Sequence, residues 1–196
     1  MTKKRIFLTV FAIILAVAAA LGYMWHINRG ELPDGHFKAF GPQLGNGHLD
    51  LLLVRHGGMY FNHLGQTVNV YMAQYHGEEL VLHQLVTSLA IVGDDAVLSG
   101  SMFWGLTTKA GVPDELRVQL AAGGGASSGY FDFSRLGFGP TATAGPFITD
   151  GPIEPGVRYV MHVWQTGNTM GAGGDAFHPE ALRRGENTAI LYLVFY

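Results

Sequence analysis

Hydrophobic positions follow two patterns along the chain. Residues 6–25 form one uncharged run, whereas behind it apolar stretches keep to strand length between turn residues. A bilayer core of about 30 Å takes about 20 apolar residues in a helix, so the first pattern predicts a membrane-spanning segment. Lys3, Lys4 and Arg5 precede it and the next basic residue is Arg29. That asymmetry orients the amino terminus inside and the remaining chain outside. Tyr23 and Trp25 then fall at the interface, where aromatic residues collect. Ala18-Ala19-Ala20 also meets the small-x-small requirement of a signal peptidase. Residues 1–27 are therefore a retained signal anchor, or a signal peptide whose cleavage after Ala20 would secrete the rest.

Residues 28–47 are punctuated by Gly30, Pro33, Gly35, Gly41, Pro42, Gly45 and Gly47, which predicts a juxtamembrane connector. Residues 48–196 carry the folded domain. Strands are expected over residues 49–55, 59–64, 67–75, 79–86, 96–107, 115–121, 130–136, 157–165 and 188–196. Residues 115–120 alternate most clearly, with Leu116, Val118 and Leu120 on one face and polar groups on the other. Residues 189–196 have no polar face, so this last strand belongs in the middle of a sheet covered on both sides. Tyr75-His76-Gly77-Glu78 and Gly93-Asp94-Asp95 read as tight turns between antiparallel neighbours. Residues 123–129 read as a flexible glycine loop. One helix is predicted over residues 178–184, with Pro179 early and Gly185 after its end, inside an excursion over 166–186 of the kind that binds or covers something. Many short strands and one small helix define an all-β fold, an antiparallel β-sandwich of jelly-roll type.

Charge and cysteine content narrow the partners. Without Lys3, Lys4 and Arg5, nine Lys and Arg face fifteen Asp and Glu, a formal charge of −6. Nucleic acid and anionic membrane surfaces are disfavoured by that balance. Cysteine is absent, which excludes disulfides and acylation at a lipoprotein-type cysteine. No nucleophile elbow occurs, the glycine run does not open a helix as a phosphate loop must, and no cofactor is expected.

Three groups of residues carry candidate chemistry. Leu51-Leu52-Leu53-Val54-Arg55-His56-Gly57, with Asn62 beyond it, resembles the opening of the histidine phosphatase superfamily. The resemblance implies Arg55 as phosphate clamp and His56 as nucleophile, delivered by a strand ending in a turn. The sequence departs from that pattern at Gly58, and neither His76 nor His162 stands where a second catalytic histidine belongs. His56 with His63, and His76 with His83, share a spacing of seven and are the candidate metal ligands, although an odd separation on one strand places side chains on opposite faces. Asp94, Asp95 and Asp175 are candidate calcium ligands in loops. Trp104, beside Phe103, and Trp164 are candidate ligand-binding residues, because an outward tryptophan on a sheet stacks on a sugar ring or anchors a protein. The layout resembles small signal-anchored extracytoplasmic proteins of Gram-positive bacteria. The expectation is a non-catalytic binding module of the cell envelope, held at the membrane by its first helix, with an envelope protein or a carbohydrate as ligand. The alternatives are a phosphatase-like hydrolase using Arg55 and His56, and a metal-binding domain using the histidines.

Overall fold

A computed structural model describes residues 32–40, 55–92, 97–139, 143–145, 150–167 and 176–196. The predicted membrane segment, the strand over 49–54, the Gly93-Asp94-Asp95 turn and Asp175 lie outside these residues. The described strands are β1 (His36–Phe40), β2 (Arg55–His63), β3 (Thr67–His76), β4 (Glu79–Ala90), β5 (Leu98–Lys109), β6 (Val112–Ala122), β7 (Gly125–Asp132), β8 (Thr143–Gly145), β9 (Gly151–Pro152), β10 (Arg158–Gly167) and β11 (Gly185–Phe195). They pair antiparallel in two sheets. Sheet I has the order β7-β6-β5-β2-β1-β9 and sheet II the order β4-β3-β11-β10-β8.

Alternating burial gives each sheet an inner face. Met59 and Phe61 of β2, Met102, Trp104 and Leu106 of β5, and Leu116, Val118 and Leu120 of β6 meet Val68, Val70 and Met72 of β3 and Leu191, Leu193 and Phe195 of β11 in one core. Two antiparallel sheets around a shared core correspond to a β-sandwich arrangement. One side is drawn shut where β4 approaches β7. Thr87 Oγ1 and Ser127 Oγ lie 2.8 Å apart there, and a Cβ on Gly129 would stand 2.0 Å from the Val86 carbonyl oxygen. Only glycine allows that approach.

The closing strand behaves as its unbroken hydrophobicity predicts. β11 lies between β3 and β10, and its outward residues Ile190, Tyr192 and Val194 form a second apolar cluster with Ala73, Val163, Ala176 and Leu182. Helix α1 (Pro179–Arg184) supplies Leu182 to that cluster, so the described end of the excursion covers sheet II. His178 caps α1, its Nδ1 accepting from the Glu180 amide at 3.3 Å, and Pro179 opens the helix.

Three local readings of the sequence give way. The segment read as a connector contains β1, with Phe37 buried in the core, because its glycines flank a short alternating run instead of interrupting it. The glycine loop is confined to Gly123-Gly124, both at positive φ, and Gly125 already begins β7. The strand expected over 130–136 ends at Asp132 and passes into a 3₁₀ turn, Phe133–Leu136, that buries Phe133 and Leu136.

Candidate functional site

The outer face of sheet I is organised by the β5-β6-β7 meander. Its hairpins turn at Ala110-Gly111 and Gly123-Gly124, all four residues at positive φ, as two-residue turns matched to sheet twist require. Pairing then fixes rows of side chains across the strands. Gly105, Arg117 and Tyr130 stand in one row, and Phe103, Gln119 and Ser128 in the next. The partners Leu116, Val118 and Leu120 point inward, so the polar residues of β6 point out.

These two rows line an open trough of about 590 Å³. Tyr130 is 74 % exposed, and half-buried Phe103 lies across β6 from it. Gly105, in the row of Arg117 and Tyr130, carries no side chain in the floor, which leaves a recess between the rings. Arg117 Nε donates to Glu115 Oε1, so the trough's cation is neutralised by its own carboxylate. Gln119 and Ser128 add an amide and a hydroxyl. Chemically the surface offers aromatic contact flanked by donors and acceptors with no net charge. On β2, which pairs with β5, the His56 ring stacks on Phe103 at 6.2 Å.

Trp104 and Trp164 are not at this surface. Each is only 2 % exposed, and they meet edge to face at 5.8 Å inside the core. Alternation explains the correction: Phe103 and Trp104 take opposite faces, and the larger ring faces in. His162 lies between the tryptophans, 4.7 Å from Trp104 and 4.5 Å from Trp164 by ring centroids. Among the described residues, neither His162 nitrogen and neither indole N–H group has a hydrogen-bond partner. Burial, reinforced by the Arg55 guanidinium, holds the His162 pKa down at about 3. A neutral imidazole surrounded by aromatic rings is the result.

The phosphatase-like motif does not assemble. Arg55, His56 and Gly57 are the first residues of β2, paired with β5, where the resemblance calls for a turn. Alternation sends Arg55 toward the side of His162 and His56 toward Phe103, so clamp and nucleophile part.

The four candidate metal ligands are similarly dispersed. His63 is buried against Phe195, with Nε2 3.1 Å from the Tyr196 carbonyl oxygen. His76 is exposed at the end of β3, 3.5 Å from the Gln74 amide nitrogen. His83 stacks on Tyr71 at 5.1 Å and places Nε2 2.6 Å from the Tyr192 hydroxyl on the outside of sheet II. Burial pushes the Tyr192 pKa up to about 12, keeping that hydroxyl protonated. Among the described residues no three His, Asp or Glu are grouped to hold a metal ion.

Tyr130, Arg117, Gln119 and Ser128 are not among the candidate residues that the sequence marks. The polar face of residues 115–120 is the visible signal of Arg117 and Gln119; Ser128 falls in the run that reads as a glycine loop, and Tyr130 opens an expected strand whose sequence does not mark it as part of a site. The chain matches no protein-family model, no curated protein and no solved structure.

Proposed function

We propose that this protein is a membrane-anchored, extracytoplasmic binding module that holds its ligand in the trough on sheet I and performs no chemistry on it. The carrying observation is the trough's lining. Phe103 and Tyr130 provide ring faces, and Arg117, Gln119 and Ser128 provide directional polar groups, the combination that fixes a ligand's orientation. Its carboxylate, Glu115, is committed to Arg117, whereas hydrolysis of a glycosidic bond takes a pair of working carboxylates. The fold is read as jelly-roll-like because the chain crosses repeatedly between the sheets, from β2 to β3, β4 to β5, β7 to β8, β8 to β9 and β9 to β10.

Residues 6–25 would hold the domain at the outer membrane surface, beside envelope polymers and proteins, or cleavage after Ala20 would release it. Co-sedimentation of the detergent-solubilised full-length chain with insoluble cell-wall polymer tests the reading. The wild type should pellet and Phe103→Ala/Tyr130→Ala should stay in the supernatant. Equal pelleting of both, or phosphomonoester turnover abolished by His56→Ala, would contradict it.

A further inference from the structure

The trough's electrostatics and shape select among ligand classes, and this inference rests on the binding role proposed above. We infer that the ligand is an uncharged glycan chain lying across strands β5, β6 and β7.

Charge comes first. A phosphate or carboxylate polymer is bound by guanidinium groups free to fork onto its oxygens. Here the charged side chains that line the trough, Arg117 and Glu115, pair and cancel, and the chain outside residues 1–27 carries a net negative charge that repels polyanions. The Arg117–Glu115 pair instead presents donor and acceptor side by side, which suits the vicinal hydroxyls of a neutral sugar. Gln119 and Ser128 extend the same alternation of donor and acceptor along the adjoining row.

Apolar contact comes second. Sugar rings have one face of C–H groups, and these pack on aromatic faces of Tyr and Phe while the ring's hydroxyls remain wet or hydrogen-bonded. Tyr130 and Phe103 stand on strands two apart in the sheet, about 10 Å at ordinary strand spacing. That separation accommodates about two rings in succession. The trough is open, and neither Tyr130 nor Arg117, 72 % exposed, closes over it. A chain can therefore pass through from either side, and no terminal residue is required.

A protein partner is disfavoured by the same features. Hot spots of protein interfaces are desolvated apolar pockets with a sealing rim, whereas polar groups here occupy the middle of the site.

Affinity electrophoresis of the full-length chain in detergent gels tests the inference with hydroxyethylcellulose, dextran and glycol chitin as neutral polymers and polygalacturonate as the anionic one. At least one neutral polymer should retard the wild type. Tyr130→Ala should weaken that retardation at least tenfold, and Gln119→Ala should weaken it less. Retardation by polygalacturonate alone, abolished by Tyr130→Ala, would overturn the neutral-glycan inference and leave the binding site standing. Retardation by no polymer, or by a neutral polymer with Tyr130→Ala unchanged, would overturn the inference, and the second outcome would also remove the trough as the site. Val112→Ala, on the same strand outside the trough, controls for altered folding and should migrate as the wild type does.

Discussion

Single residues show where this domain tolerates no change. His162 is buried with no hydrogen-bond partner among the described residues and stays neutral to about pH 3, whereas an unfolded histidine takes up its proton near 6.5. Between those values the unfolded chain holds one more proton than the folded one, so stability is full above pH 6.5 and declines as pH falls. Linkage gives a loss of about 1.4 kcal/mol per pH unit from this residue. Denaturant melts of the wild type between pH 6.5 and 4.5 should show that slope in excess of His162→Leu; parallel pH curves would refute the buried neutral imidazole. Gly129 is constrained sterically, since its Cβ would lie 2.0 Å from the Val86 carbonyl. Gly129→Ala should cost about 1–3 kcal/mol through the forced separation of β4 and β7, read as a lower urea midpoint. None of this was legible in the sequence. His162 falls inside the strand expected over 157–165 with nothing to mark the rings around it, and Gly129 falls in the expected glycine loop, because both roles arise from residues remote in the chain.

At the scale of elements the sequence was more informative. Alternation in residues 115–120 gave the correct inward and outward faces of β6, and the uniformly apolar end of the chain predicted a strand covered on both sides. The helix was legible from Pro179 and the following glycine, but its purpose was not. Leu182 anchors α1 on the outside of sheet II, while Arg183 pairs with Glu78 at the surface, with side chains 68 % and 43 % exposed. Leu182→Ala should therefore lower stability by about 2 kcal/mol or more, and Arg183→Ala by less than about 0.5 kcal/mol. Chemical melts of the two variants check the order, and equal effects would mean that α1 is held by its ion pair. β1 and residues 125–129 of β7 escape the sequence for a common reason: glycine marks the absence of a side chain, and only pairing with β2 or β6 decides whether its backbone turns or extends.

Over the whole molecule, the two-sheet architecture follows from the strand count, while the site follows from the register. Phe103 and Tyr130 are 27 positions apart and become neighbours of one trough because two glycine-turned hairpins set Phe103 opposite Gln119 and Arg117 opposite Tyr130. A one-residue slip in either hairpin would send those side chains into the core. Lengthening the Gly123-Gly124 turn by one residue should accordingly abolish polymer retardation even where the chain remains folded by circular dichroism.

The most direct measurement of the central claim is hydrogen exchange of the full-length chain with and without the neutral polymer that retards it. Slowed exchange confined to peptides from β5, β6 and β7, and absent in Tyr130→Ala, is the expected result. Protection instead on sheet II around Tyr71, His83 and Tyr192, with β5 to β7 unchanged, would contradict the trough as the binding site.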